Sequence, residues 1–283
     1  MKLSTLAAAG GVIAAGSGLA ALAAGKRRWQ AAIADARRRL EAANSSAADS
    51  ARDLEQLPPV VQRYLRAALP NSRKRVRHAR VASRGLINMG TPPQDHWKRF
   101  SATQDFYPAA PGFVWDARVQ MAPGLAAFVR DSFIDGEGAM LATLLGLFPV
   151  VDSRDTPEMA EASLMRYLAE MVWFPTAFLP GQGVSWTEAS ASADTAQASI
   201  AAGAAAASLD FVFGQDGLPV SCTATRFNDT LRGRFPWGGQ YLEWTSHEGL
   251  MIPSRCEVFW NLPSGYFAYW RGTVTPVYEF RET

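Results

Sequence analysis

The chain of 283 residues is 48% hydrophobic with a formal net charge of +2, so it can bury a sizeable core without the help that very small domains need. Much of the basic excess lies before residue 81, which argues against a nucleic-acid surface on the rest of the chain. Two cysteines, Cys222 and Cys256, are too few for a disulfide framework and stand in no metal-ligand spacing; one bridge between neighbouring strands and two free buried thiols both fit them.

Residues 3 to 25 carry no charge and are flanked by Lys2 and by Lys26-Arg27-Arg28. The length suits a spanning helix of roughly twenty residues, and Ala21-Leu22-Ala23 offers an A-x-A cleavage pattern. Residues 1–25 are therefore expected to be a signal anchor or a signal peptide, tying the protein to a bacterial inner membrane or cell envelope. The side of the membrane stays open. The Lys and Arg cluster favours a cytoplasmic body, whereas export with retention or cleavage is the competing reading. Residues 26–55, rich in Ala, Arg, Glu and Asp, read as a basic juxtamembrane helix or linker. Residues 56–283 read as one domain.

That domain opens with a short helix started by Pro58 and Pro59, with Val61, Tyr64, Leu65 and Leu69 on one face. After Pro70 the period becomes two. Val76 to Ile87, Trp97 to Phe106, Phe113 to Met121 and Leu125 to Ile134 are expected strands of a meander, bounded by turn residues. Ala139 to Val151 is too uniformly apolar for periodicity to separate strand from helix. A capped helix follows: Thr156 is its N-cap, Pro157 its first residue, and Glu158 and Glu161 suit its positive end. Met165, Leu168, Ala169 and Val172 form its apolar stripe, and Pro175 is expected to end or kink it. Seven more candidate strands follow between Trp186 and Val274.

The economical architecture is α+β: a large, curved, half-barrel-like antiparallel sheet with a helical insertion packed on one face, preceded by the N-terminal membrane or signal helix. An all-β sandwich is the runner-up. Twelve aromatic residues on the predicted strands, Trp115 among them, exceed what a one-sided sheet needs. Either both faces are buried or one concave face encloses an apolar ligand.

Arg166 and Glu170 stand four apart beside the apolar stripe, placed to hold a polar head group or act as a structural ion pair. Alternation puts Asp131 on the face opposite Arg130 and Ser132. On a concave face Asp131 would reach Arg166; near the turn it would be solvated. Tyr167 and Trp173 would line the same region or serve as core. Arg226, Arg255 and Arg271 are each embedded in an apolar strand and could pair with Glu243, Glu257 or an anionic head group. His78, His96 and His247 make no metal pattern and read as surface or edge residues. No GxSxG elbow or glycine-rich phosphate fingerprint is present, so no motif identifies a catalytic residue and no cofactor is expected.

Leu57-Pro58-Pro59-Val60, Arg63-Tyr64-Leu65, the strand around Trp115, Asp131 ahead of Gly136-Glu137-Gly138, and Arg166-Tyr167-Leu168-Ala169-Glu170 with Trp173 and Pro175 resemble a family of uncharacterised bacterial proteins classified only as a domain of unknown function. The resemblance covers residues 55 to 280 approximately. It implies amino-terminal membrane segments and no activity. The strand-helix-strand plan is also similar to the half-barrel of lipoprotein carriers, a likeness of architecture alone. The expectation is a membrane-associated binding protein for a hydrophobic or amphipathic, lipid-like ligand, held by Arg166, Glu170, Asp131, Tyr167, Trp173 and Trp115. An enzyme using Glu170 or Asp131 as acid or base, and a membrane-anchored interaction protein, are the alternatives.

Overall fold

The computed structural model describes residues 3–44, 54–70, 74–154, 156–189 and 192–282, with the side chains of the first helix from residue 20 onward. One 13-stranded antiparallel sheet dominates it. Strands β1 (Lys74–Asn88), β2 (Trp97–Phe106), β3 (Phe113–Ala122), β4 (Leu125–Ile134), β5 (Glu137–Leu144) and β6 (Phe148–Arg154) form one meander. A second runs through β7 (Val184–Glu188), β8 (Thr195–Ala202), β9 (Ala205–Phe213), β10 (Pro219–Asn228), β11 (Gly233–His247), β12 (Leu250–Leu262) and β13 (Gly265–Glu282). Pairing of β1 with β13 joins the two at mid-sheet, so β6 and β7 are the edges. The ambiguous apolar run proves to be β5 and β6, separated by a turn in which Leu145 and Gly146 both take positive φ.

The sheet curls strongly. The turn after β4 reaches the turn after β8, where a Cβ on Gly136 would lie 3.2 Å from Gly203 Cα. Helix α3 (Pro157–Glu170) connects the two edge strands and packs against the concave face. Its start is as the sequence dictates: Thr156 accepts a hydrogen bond from the Met159 amide, with Pro157 in the first turn. Its end is not. The α-helix stops at Glu170 in a 3-10 turn (Met171–Trp173), and Pro175 instead opens a second 3-10 turn (Pro175–Phe178). Helix α2 (Pro59–Ala68) buries Val61, Tyr64 and Leu65, and the Tyr64 ring meets Phe178, Phe213 and Trp244. Aromatic packing from α2, α3 and the 3-10 turns thus fills much of the concavity.

Helix α1 (Leu3–Ala43) runs unbroken across the stretches expected as signal segment and juxtamembrane helix. Its Trp29, Ile33, Ala36 and Leu40 are buried at helical spacing. Ala36 and Leu40 cluster with Val114 and Ile134, whose strand neighbours Phe113, Trp115 and Phe133 belong to the concave core. Alternation therefore puts α1 on the convex face. The inserted helix α3 covers one face as expected, and α1 adds a layer on the other: its stripe of Trp29, Ile33, Ala36 and Leu40 rests on the outer side of β3 and β4. Among the described residues no helix is long and apolar enough to cross a membrane.

Candidate ligand-binding site

Between α3 and the concave face lies a cavity of about 660 Å³, within the 300–1,000 Å³ range of small-molecule sites. Trp115, Met140, Trp173, Trp237, Trp260 and Trp270 give it a mainly apolar wall. Arg166, Asp131, Glu170, Arg226 and Tyr269 bring polar groups to the same space.

Arg166 organises one side. Its Nη1 donates to Asp131 Oδ2 at 2.6 Å, its Nε to Glu170 Oε1 at 2.8 Å and its Nη2 to Gln104 Oε1 at 3.1 Å. Gln104 Nε2 in turn donates to Glu170 Oε2 at 2.7 Å. Each link follows from local geometry. Arg166 and Glu170 are one helical turn apart, whereas Asp131 on β4 and Gln104 on β2 share the concave face with Trp115 of the intervening β3. Trp115 and Phe113 lie beneath the guanidinium at 5.1 and 4.8 Å.

The side chains of Arg166, Asp131 and Glu170 keep 18, 19 and 15% exposure. Burial pushes the Glu170 carboxyl above its usual range, and the Asp131 charge adds to that; the Arg166 ion pair and the Gln104 hydrogen bond oppose it. Burial works against the charge on Arg166, but the two carboxylates outweigh it and raise its pKa further.

Of the six residues expected to bind ligand, five line the cavity: Arg166, Glu170, Asp131, Trp173 and Trp115. Tyr167 is not among them. It is fully buried between Phe106 and Phe174, on the side of α3 turned to the core. Gln104 escaped sequence reading because a lone glutamine in a strand looks like any solvated residue; only the face shared with Asp131 betrays it. The three embedded arginines also separate. Arg255 pairs with Glu243 at 3.0 Å and Arg271 with Glu257, whereas Arg226 enters the cavity with its guanidinium over Trp237 and Trp260, 4.6 and 5.9 Å from the ring centroids.

His78 departs from the surface placement expected of it. It is buried on the convex face between Asp105 at 2.9 Å and Glu279 at 3.3 Å, stacked on Tyr107. Cys222 and Cys256 are both free, since β11 separates their strands. Burial pushes their thiols up to about 11 and about 12, which keeps both protonated at neutral pH and inert as nucleophiles. Among the described residues no group of three or more His, Cys, Asp or Glu is placed to hold a metal ion.

A single curved antiparallel sheet wrapped around a helix, with an aromatic cavity between them, defines the class of molecule: a half-barrel. The chain belongs to DUF6920, a family of unknown function whose model matches residues 55–278. No curated protein shows significant sequence similarity to it. Among solved structures it is similar to a LolA superfamily protein from Nitrosomonas europaea, at 8% identity and TM-score 0.39, covering 82% of this chain and 94% of that one. A DUF1329 family protein from Desulfovibrio piger also matches at 8% identity and TM-score 0.39, over 72% and 86% of the two chains. A beta-barrel-like DUF1849 protein from Brucella abortus matches at 12% identity and TM-score 0.24, over 73% and 99%.

Proposed function

We propose that this protein binds a hydrophobic or amphipathic, lipid-like ligand in the concave cavity while its N-terminal segment holds it at a bacterial inner membrane or envelope membrane. The observation that carries the reading is the cavity itself, with tryptophans around it and a compact polar cluster at one side. An apolar wall with a few convergent polar groups suits a ligand that has a chain and a head. Support for the membrane comes from the uncharged residues 3 to 25 and the basic cluster behind them. A further support is the cavity rim. Edge strand β6 contributes Asp152, Ser153 and Arg154 to the lining but exposes Phe148, Val150 and Val151 by 64, 55 and 40%. The turn before it packs on α1, where a Cβ on Gly25 would meet Leu147 at 2.6 Å. An apolar strand edge beside the end of an uncharged segment suits a bilayer surface.

The acid-base alternative is less well served. Both oxygens of Glu170 are already accepting hydrogen bonds, and Arg166 lies between it and Asp131, so the two carboxyls do not share a proton as catalytic dyads do. Native mass spectrometry and solvent extraction of protein purified from its own membranes test the reading. A co-purifying lipid is the expected result; repeated preparations without one, together with no binding of added lipid, would remove it.

A further inference from the structure

Four cationic side chains line the cavity: Arg154, Arg166, Arg226 and Arg232. Three are engaged by carboxylates. Arg154 holds Asp152 at 2.6 Å, Arg166 holds Asp131 and Glu170, and Arg232 holds Asp229 at 2.5 Å. Arg226 has no carboxylate at ion-pair distance among the described residues, and its buried Nε has no hydrogen-bonding partner among them.

Its position is built. On β10, Cys222, Ala224 and Arg226 share the concave face, and the guanidinium is held over Trp237 and Trp260. The Trp237 indole N–H donates to the Tyr269 hydroxyl at 2.9 Å. That leaves the Tyr269 O–H as a donor of its own. A half-buried guanidinium stacked on two indoles is oriented in advance, and a planar fork of donors matches an oxyanion.

We propose that Arg226 receives the anionic head group, a carboxylate or a phosphate, of an amphiphile whose chain lies along the tryptophan wall. This assignment rests on the reading of the cavity as an apolar-ligand site, and it moves the head-group contact away from Arg166. Arg166 already has two carboxylates to satisfy it; an incoming anion there would meet Asp131 and Glu170 as well. At Arg226 it would meet a charge that no carboxylate among the described residues pairs with.

The test uses quenching of the cavity tryptophans by dibromostearate and by its uncharged methyl ester, with dodecyl phosphate and dodecanol as competitors, on the full chain in mild detergent. The acid is expected to bind on the order of tenfold tighter than the ester, the worth of one hydrogen bond to a charged group. Dodecyl phosphate should outcompete dodecanol by a similar ratio if phosphate heads are accepted, and only carboxylates should show the preference if they are not. Arg226→Met keeps an unbranched apolar side chain at the position and should abolish the preference, so that acid and ester bind equally well. Arg226→Lys should keep part of it. Ester binding with no preference for the acid, or a preference that survives Arg226→Met, would overturn the assignment while leaving the cavity reading intact. Failure of both acid and ester to quench would overturn both.

Discussion

Arg166 shows how one charge can be made both necessary and costly. Three of its donors are spent on Asp131, Glu170 and Gln104, and removing it would strand two carboxylates in a confined space. Arg166→Met should therefore destabilise the fold by about 3–5 kcal/mol, read as a lower urea midpoint. Adding Asp131→Asn and Glu170→Gln in the same chain should restore most of that loss, a coupling that independent residues would not show. Glu170 also sets a pH dependence. Its carboxyl is raised by burial in the native state, so as pH rises above the ordinary glutamate range the unfolded chain ionises first. Stability should then fall as pH climbs towards the native value. Glu170→Gln should flatten that slope in urea midpoints measured across the same range.

At the scale of elements, α1 is fastened to the convex face by polar contacts as well as its apolar stripe. Trp29 Nε1 donates to Asp116 at 2.8 Å, and Arg37 reaches Asp105 at 2.7 Å and Thr103 at 2.9 Å. Asp105 is 1% exposed. Burial works against its charge, but the hydrogen bond from His78 and the guanidinium groups of Arg37 and Arg80 overcome that and hold its carboxyl below the usual range. A lowered carboxyl contributes stability that is present above the ordinary aspartate range and lost as pH falls through the native value. Arg37→Met should cost about 1–3 kcal/mol and speed amide exchange in residues 29 to 43 while leaving the sheet protected. Equal protection of α1 in wild type and variant would show that the apolar stripe alone holds it.

For the whole molecule the decisive contact is the seam between β1 and β13. Each meander depends on it to become part of one sheet. Near the Ile87 end of the seam Gly85 faces Gly272, and a Cβ on Gly85 would lie 1.9 Å from the Arg271 carbonyl oxygen. Gly85→Val should force the strands apart and lower stability by about 4 kcal/mol or more, in the range of mutations that disrupt a core. Because both halves share the seam, tryptophan fluorescence and far-ultraviolet circular dichroism should lose structure in coincident transitions. Two separated transitions would mean that the meanders fold independently.

Sequence alone determined the local grammar of this protein. Period-two runs located most strands, Thr156 and Pro157 marked where α3 begins, and alternation put Asp131 on the face opposite Arg130. Those features depend on neighbours a few residues away, so they are written in order along the chain. Tertiary structure decided everything that required a partner distant in sequence. It paired β1 with β13, turned Tyr167 into core, brought Gln104 to Glu170 across 66 positions, and docked α1 on the outer face. It also separated three arginines that look alike in sequence. Arg255 and Arg271 found carboxylates on adjacent strands and Arg226 did not, because strand register and sheet curvature, not composition, decide which charges meet.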